Sequence, residues 1–282
     1  MIYIKVFLVV ILSAFHINNV YAANKVNVVV SILPQQYFVQ QIGSSYVDVN
    51  VMVGPGQNPA TYEPTPQQIA ALANADIYLG IGVPFEKAWL SKIKKSNEKL
   101  IVVECCKSIS NLNGHSHHDI DVDPHIWTSP KKVIQIVKLI EKSLIEIDAE
   151  HSAAYKTSAI KFIGELDNLD SNIKSKVINL AQRNLIVSHP SWSYFADEYG
   201  LTQISIEQEG KEIQARSMVK LIRSAKEKNI KAIFVQSQFN AKAAKIIAKE
   251  IDATVFELDP LAFNYIENMN IVADKIVKGL SL

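Results

Sequence analysis

Short apolar runs alternate with amphipathic segments along most of the chain, and the alternation occurs twice. In the first half, runs rich in valine and isoleucine lie at Val26–Ile32, Val47–Val53, Ile77–Ile81 and Leu100–Glu104. Segments with the helical period separate them, at about Pro34–Gly43, Pro66–Asn74 and Phe85–Lys95. The second half repeats the rhythm with runs at Leu185–Ser188, Gln203–Ile206, Ala232–Gln236 and Thr254–Leu258. Its helical segments are Trp192–Tyr199, Ile213–Lys228, Ala241–Glu250 (with Asn240 as cap) and much of Ile266–Lys278. Short apolar strands alternating with helices predict parallel sheets covered on both faces, so the pattern is that of two α/β units.

Two long helical segments separate the halves. Ser129-Pro130 reads as a cap followed by a first-turn proline and opens a helix to about Ile147. From His151 to about Ala181, the apolar positions Tyr155, Phe162, Leu166, Leu169 and Ile173 keep the helical period. A helix of roughly thirty residues is about 45 Å long, more than one small lobe needs. We therefore expect a rigid rod between the lobes; the alternative is an ordinary covering helix broken near Gly164. The predicted organisation is a first lobe at 23–148, a connecting helix at 149–181 and a second lobe at 182–282.

The first 22 residues stand apart. Lys5 supplies a positive start, Val6–Ala14 is an almost unbroken apolar stretch, and Val20-Tyr21-Ala22 has small residues where a signal peptidase reads. The stretch is short for a membrane span, and no cysteine follows to carry a lipid. The expectation is a cleaved signal peptide, an exported monomer and no membrane anchor. Of the 282 residues, 48% are hydrophobic and 20% charged, with 29 basic side chains against 28 acidic. Balanced charge excludes a polybasic nucleic-acid binder or membrane-surface protein, and the apolar content excludes disorder. The two cysteines, Cys105 and Cys106, are adjacent at the end of an expected strand. They are read as small buried residues, free or oxidised, and cannot make a disulfide framework or a zinc ribbon.

Candidate chemistry follows from the architecture, because open parallel α/β sheets bind ligands beyond the carboxyl ends of their strands. His189 directly follows one expected strand and Asp259 another, and His125 precedes the helix opened by Ser129-Pro130. Two imidazoles and a carboxylate make a suitable shell for a borderline transition metal. Each has an ordinary alternative: Asp259 as a helix cap, His189 as a turn residue before Pro190, His125 as a half-buried histidine beside Trp127. The loop 111–119 adds His115, His117 and His118. Glu207, Glu209 and Glu212 are read as a solvated loop. No Gly-x-Ser-x-Gly elbow or complete dinucleotide fingerprint occurs, so no catalytic residue is assigned.

Four motifs in order resemble a known family. Asn58-Pro59-Ala60-Thr61-Tyr62-Glu63-Pro64, then the His-rich loop and Asp123-Pro124-His125-Ile126-Trp127, then Ser188-His189-Pro190-Ser191-Trp192 and Leu258-Asp259-Pro260-Leu261 span essentially the whole mature chain. Together they resemble the cluster A-I metal-binding solute-binding proteins of bacterial ABC importers, closest to the zinc-specific ZnuA type. The resemblance implies two Rossmann-like lobes joined by a long helix, with the metal in the cleft between them. It also implies a periplasmic location, an ABC permease in the inner membrane as partner, and Zn2+ as transported ligand ahead of Mn2+. His125, His189 and Asp259 match family ligands, whereas Ala60 stands at the first histidine ligand. The gap is filled by water, by His115, His117 or His118 (which otherwise act as a low-affinity collector), or by Glu63. Alternatives are a zinc-dependent hydrolase using the open coordination position, or a protein binding manganese or another solute.

Overall fold

The structure, a computed structural model, describes residues 25–112, 123–207 and 211–282. Two four-stranded, wholly parallel sheets are present. The first contains β1 (Val26–Ile32), β2 (Val47–Val53), β3 (Ile77–Gly80) and β4 (Ile101–Glu104) in the order β2-β1-β3-β4. The second contains β5 (Asn184–Val187), β6 (Thr202–Ser205), β7 (Ala232–Val235) and β8 (Thr254–Glu257) in the equivalent order β6-β5-β7-β8. The α/β expectation holds, and the strand bounds differ from the expected ones by at most one residue at either end. Central strands such as β3 and β7 are buried along their whole length, while edge strands β6 and β8 are partly exposed. The register pairs Val28 with Ile77 and Ile186 with Ile233, placing β-branched side chains side by side across each sheet centre.

Helices α1 (Leu33–Gly43), α2 (Pro66–Ala73), α3 (Pro84–Ser96) and α4 (Cys105–Leu112) belong to the first lobe. The fourth is a correction: the cysteines open a helix instead of ending a strand, and both are buried and free. Helix α5 (Pro130–Ile147) begins as expected, with Ser129 Oγ accepting the Lys132 N–H at 3.3 Å. In the second lobe lie α7 (Ser193–Glu198), α8 (Ala215–Glu227), α9 (Lys242–Ile251) and α10 (Tyr265–Leu280). The cap of α9 also shifts: Ala241 occupies the N-cap position, while Asn240 Oδ1 accepts the Lys242 N–H at 2.9 Å.

Helix α6 (Ser152–Val177) has 26 residues and continues through Gly164 without a break, ending four residues earlier than expected. Its buried stripe runs through Tyr155, Phe162, Leu166, Leu169 and Ile173. The first half packs on α1, where Phe162 meets Phe38 at 6.0 Å between ring centroids. The second half is tied to the other lobe: Tyr199 Oη donates to Asp170 at 2.9 Å, and Lys176 pairs with Asp274 of α10 at 2.6 Å. One continuous apolar core passes from the first sheet through α6 to Leu185, Phe234 and Ile276 of the second lobe. A rod sharing a core with both lobes opposes wide hinge motion, because close-packed interiors do not deform continuously. Among the described residues, no helix is long and apolar enough to cross a membrane.

Candidate metal site between the lobes

In the order β6-β5-β7-β8, the chain direction switches between β5 and β7, the usual place for a crevice at the strand ends. His189 emerges there. Backbone pairing of β5 with β6 continues one step past the strands, with the Glu207 N–H donating to the Ser188 carbonyl at 3.0 Å. That extension sets Glu207 beside the imidazole, and its Oε2 lies 2.7 Å from His189 Nδ1. Glu207 is thus no solvated loop residue, as the sequence reading had it: its side chain is only 20% exposed. His189 is also stacked on Phe239, with centroids 4.0 Å apart and planes 15° apart.

His125 is held in the same way from the other side of the junction. Its Nδ1 lies 2.6 Å from Asp123 Oδ1, which also accepts the His125 backbone N–H at 2.9 Å. Asp123 reaches across to α7 as well: Ser193 Oγ donates to its Oδ2, and Tyr194 Oη donates to its carbonyl at 3.1 Å. Burial works to raise the Asp123 carboxyl, but hydrogen bonds from His125 and Ser193, with the imidazole's charge, outweigh it and hold it below the usual carboxylate value. The Tyr194 phenol is pushed up to about 12, first by burial and then by the Asp123 charge, so it remains a neutral donor. Cys106 lies behind this segment, its thiol donating to Ile81 O at 2.7 Å and Pro124 O at 3.1 Å.

With both Nδ1 atoms engaged by carboxylates, Nε2 is the nitrogen each imidazole has left. The two rings approach edge to face, with centroids 5.3 Å apart and planes at 78°. A carboxylate on the far ring nitrogen fixes the tautomer and orientation of a metal-binding histidine and raises its basicity.

Asp259 sits beyond β8 in a turn. Its Oδ1 accepts the Leu261 N–H and Gln238 Nε2, each at 2.9 Å. Trp127 ties this turn to the histidine segment, donating from Nε1 to Pro260 O at 2.7 Å, while Tyr265 Oη donates to Trp127 O at 2.8 Å. Three of the four sequence motifs are therefore knitted into one junction. Among the described residues, however, no three His, Cys, Asp or Glu side chains gather closely enough to enclose an ion. The histidines meet; Asp259 is their neighbour through Trp127 and Pro260, with its Oδ1 used in the turn. Ala60 and Glu63 are both exposed, and Ala60 donates its N–H to Asn58 Oδ1 at 2.9 Å. His115, His117 and His118, like most of the loop 111–119 and the proposed leader, lie outside the described residues.

The first lobe closes its equivalent crevice with its own side chain. Glu86, buried between β1 and β3, accepts the N–H groups of Ile81 at 2.9 Å and Gly82 at 2.8 Å and the hydroxyl of Ser31 at 2.5 Å. Sequence reasoning missed Glu86, Gln238 and Phe239, and named Glu207 with the wrong role. Position just after a strand, the rule that selected His189, could also have flagged the β7–α9 loop.

The family model for the zinc-uptake complex component A, periplasmic (ZnuA), matches residues 28–279. The high-affinity zinc uptake system protein ZnuA of Bacillus subtilis is 28% identical over 253 residues, covering 84% of this chain and 79% of that protein. A crystal structure of ZnuA superposes with a TM-score of 0.84 at 40% identity, covering 91% of this chain and 100% of the other. A zinc-bound deletion mutant of ZnuA gives the same TM-score at 39% identity, covering 92% and 99%. A match over nearly all the described residues, two equivalent parallel sheets and a long connecting helix agree: this chain belongs to the ZnuA family of periplasmic zinc-uptake components.

Proposed function

We propose that the protein captures Zn2+ outside the cytoplasm and delivers it to an ABC-type permease in the inner membrane. The observation that carries this reading is the meeting of His125 and His189, each held at Nδ1 by a carboxylate and each keeping Nε2 for an ion. His125, His189 and Asp259 are the proposed protein ligands, with Asp259 joining through its carboxylate as the loops close over the cation. Imidazole nitrogens suit zinc, whereas an all-oxygen shell would suit manganese. A water completes a tetrahedral shell where the chain carries Ala60, and that exchangeable position suits release as well as capture. The family is one of solute-binding transport components, and the site is read as a binding site without turnover. Residues 1–22 are the proposed cleaved leader, and the mature protein acts as a monomer.

The reading predicts a definite pH response. A protonated imidazole has no lone pair for a metal, so zinc and protons compete for each histidine. Zinc affinity should fall as the medium is acidified, and binding at neutral pH should release protons. Titrating metal-free protein with zinc at neutral pH and in mild acid, in two buffers of different ionisation enthalpy, measures both effects. Affinity independent of pH, with no proton released, would show that the histidines are not the ligands.

A further inference from the structure

The loop between β7 and α9, Gln236 to Asn240, touches both second-lobe groups of the site, although its own residues are neither acidic nor metal ligands of the usual strength. Phe239 lies nearly parallel to the His189 ring at 4.0 Å, and Gln238 donates to Asp259 Oδ1 at 2.9 Å. Gln236, 3% exposed, anchors the loop by donating from Nε2 to Ser191 Oγ, two residues beyond His189. Three residues of one loop thus hold the segments bearing both donors.

Unused polarity occurs on the same segments. Ser188 Oγ, Gln236 Oε1 and Gln238 Oε1 are buried and without a hydrogen-bond partner among the described residues. They stand at the carboxyl ends of β5 and β7, on either side of the switch point. Buried polar atoms are nearly always satisfied, so each of them marks a place where a polar partner belongs. The water that completes the zinc shell supplies such a partner, since it can donate to an oxygen that the protein leaves unpaired.

We infer that Gln238 and Phe239 are positioning residues for zinc, Phe239 fixing the plane of the His189 ring and Gln238 fixing the Asp259 carboxylate. The inference rests on His189 and Asp259 being zinc ligands, and it adds the element that sets their mutual geometry. His189 is confined on two sides: Glu207 fixes the ring at Nδ1, and Phe239 blocks its rotation out of plane. Gln238 holds one carboxylate oxygen of Asp259 and leaves the other for the ion. A shared loop makes the two donors move as a unit, so loosening either contact should disturb the coordination geometry as well as the affinity.

The test uses full-length mature protein, freed of metal and then loaded with Zn2+ or with Co2+, whose visible absorption reports coordination geometry. Phe239→Leu and Gln238→Leu should each raise the zinc dissociation constant about tenfold, the lower end of what losing a ligand's supporting partner costs. Both should alter the Co2+ band, and Phe239→Tyr, which keeps the stacked ring, should restore affinity and spectrum. Thermal melts of the metal-free variants show that they fold. Unchanged affinity and an unchanged Co2+ spectrum in both leucine variants, while His189→Ala loses zinc, would overturn the positioning role alone. If His189→Ala itself keeps full affinity, the ligand assignment fails, and the positioning role fails with it.

Discussion

Replacing His189 with alanine should remove tight zinc binding. The ring is one of two that meet between the lobes, and its Nδ1 is already committed to Glu207 at 2.7 Å. Losing a hydrogen-bond partner of a metal ligand costs about 10- to 100-fold in affinity, so losing the ligand itself should exceed that range. Glu207→Gln should fall within it, because the amide can still orient the ring but cannot raise its basicity. Competition against a chromogenic zinc chelator measures both. The ordering matters more than either value: wild type tightest, Glu207→Gln intermediate, His189→Ala weakest. If His189→Ala binds as tightly as Glu207→Gln, the imidazole is not a ligand.

The largest stability effect should come from Trp127. Its side chain is among the largest that are fully buried, and its indole N–H donates to Pro260 O across the junction at 2.7 Å. Its own carbonyl accepts the Tyr265 hydroxyl of α10. Trp127→Ala leaves a cavity at the place where the lobes are joined, and truncations of this kind cost about 3–5 kcal/mol. Trp127→Phe keeps most of the volume and loses the hydrogen bond, which should cost about 1–3 kcal/mol because Pro260 O is left unsatisfied. Chemical denaturation of the metal-free proteins gives both values. Because Trp127 also couples the His125 segment to the Asp259 turn, Trp127→Phe should weaken zinc binding although it touches no ion. An alanine variant as stable as the wild type would mean that the junction contributes little to the fold.

Much of the fold was legible because its signal is local. The central strands are largely buried on both faces, so they appear as short runs dominated by apolar residues, and Ser129 marks a helix start by capping chemistry. Helix α4 was missed because Cys105–Leu112 is short and carries no cap signal of its own after the strand. At the site, His125 and His189 could be chosen by their position relative to strand ends and helix starts. Their supporting groups could not. Glu207 becomes a partner of His189 only through the β5–β6 register, and Ser193 becomes a partner of Asp123 only because the lobes meet. Phe239 looked like an unremarked aromatic in a polar loop, since stacking leaves no spacing pattern. Asp259 is a different case: it is not the helix cap weighed against it, because α10 begins at Tyr265 with Asn264 at the N-cap position, and its Oδ1 instead accepts the Leu261 N–H inside a turn that Trp127 ties to the histidine segment.

The central claim is that imidazoles from both sides of the junction share one zinc ion. X-ray absorption at the zinc edge of the mature protein loaded with one equivalent tests it most directly. The account predicts a shell of nitrogen and oxygen at about 2.0–2.2 Å, the multiple-scattering pattern of two imidazoles, and no sulfur, because both thiols are buried and Cys106 is turned towards Ile81 and Pro124 carbonyls. A sulfur shell near 2.3 Å, or a spectrum without histidine scattering, would contradict it.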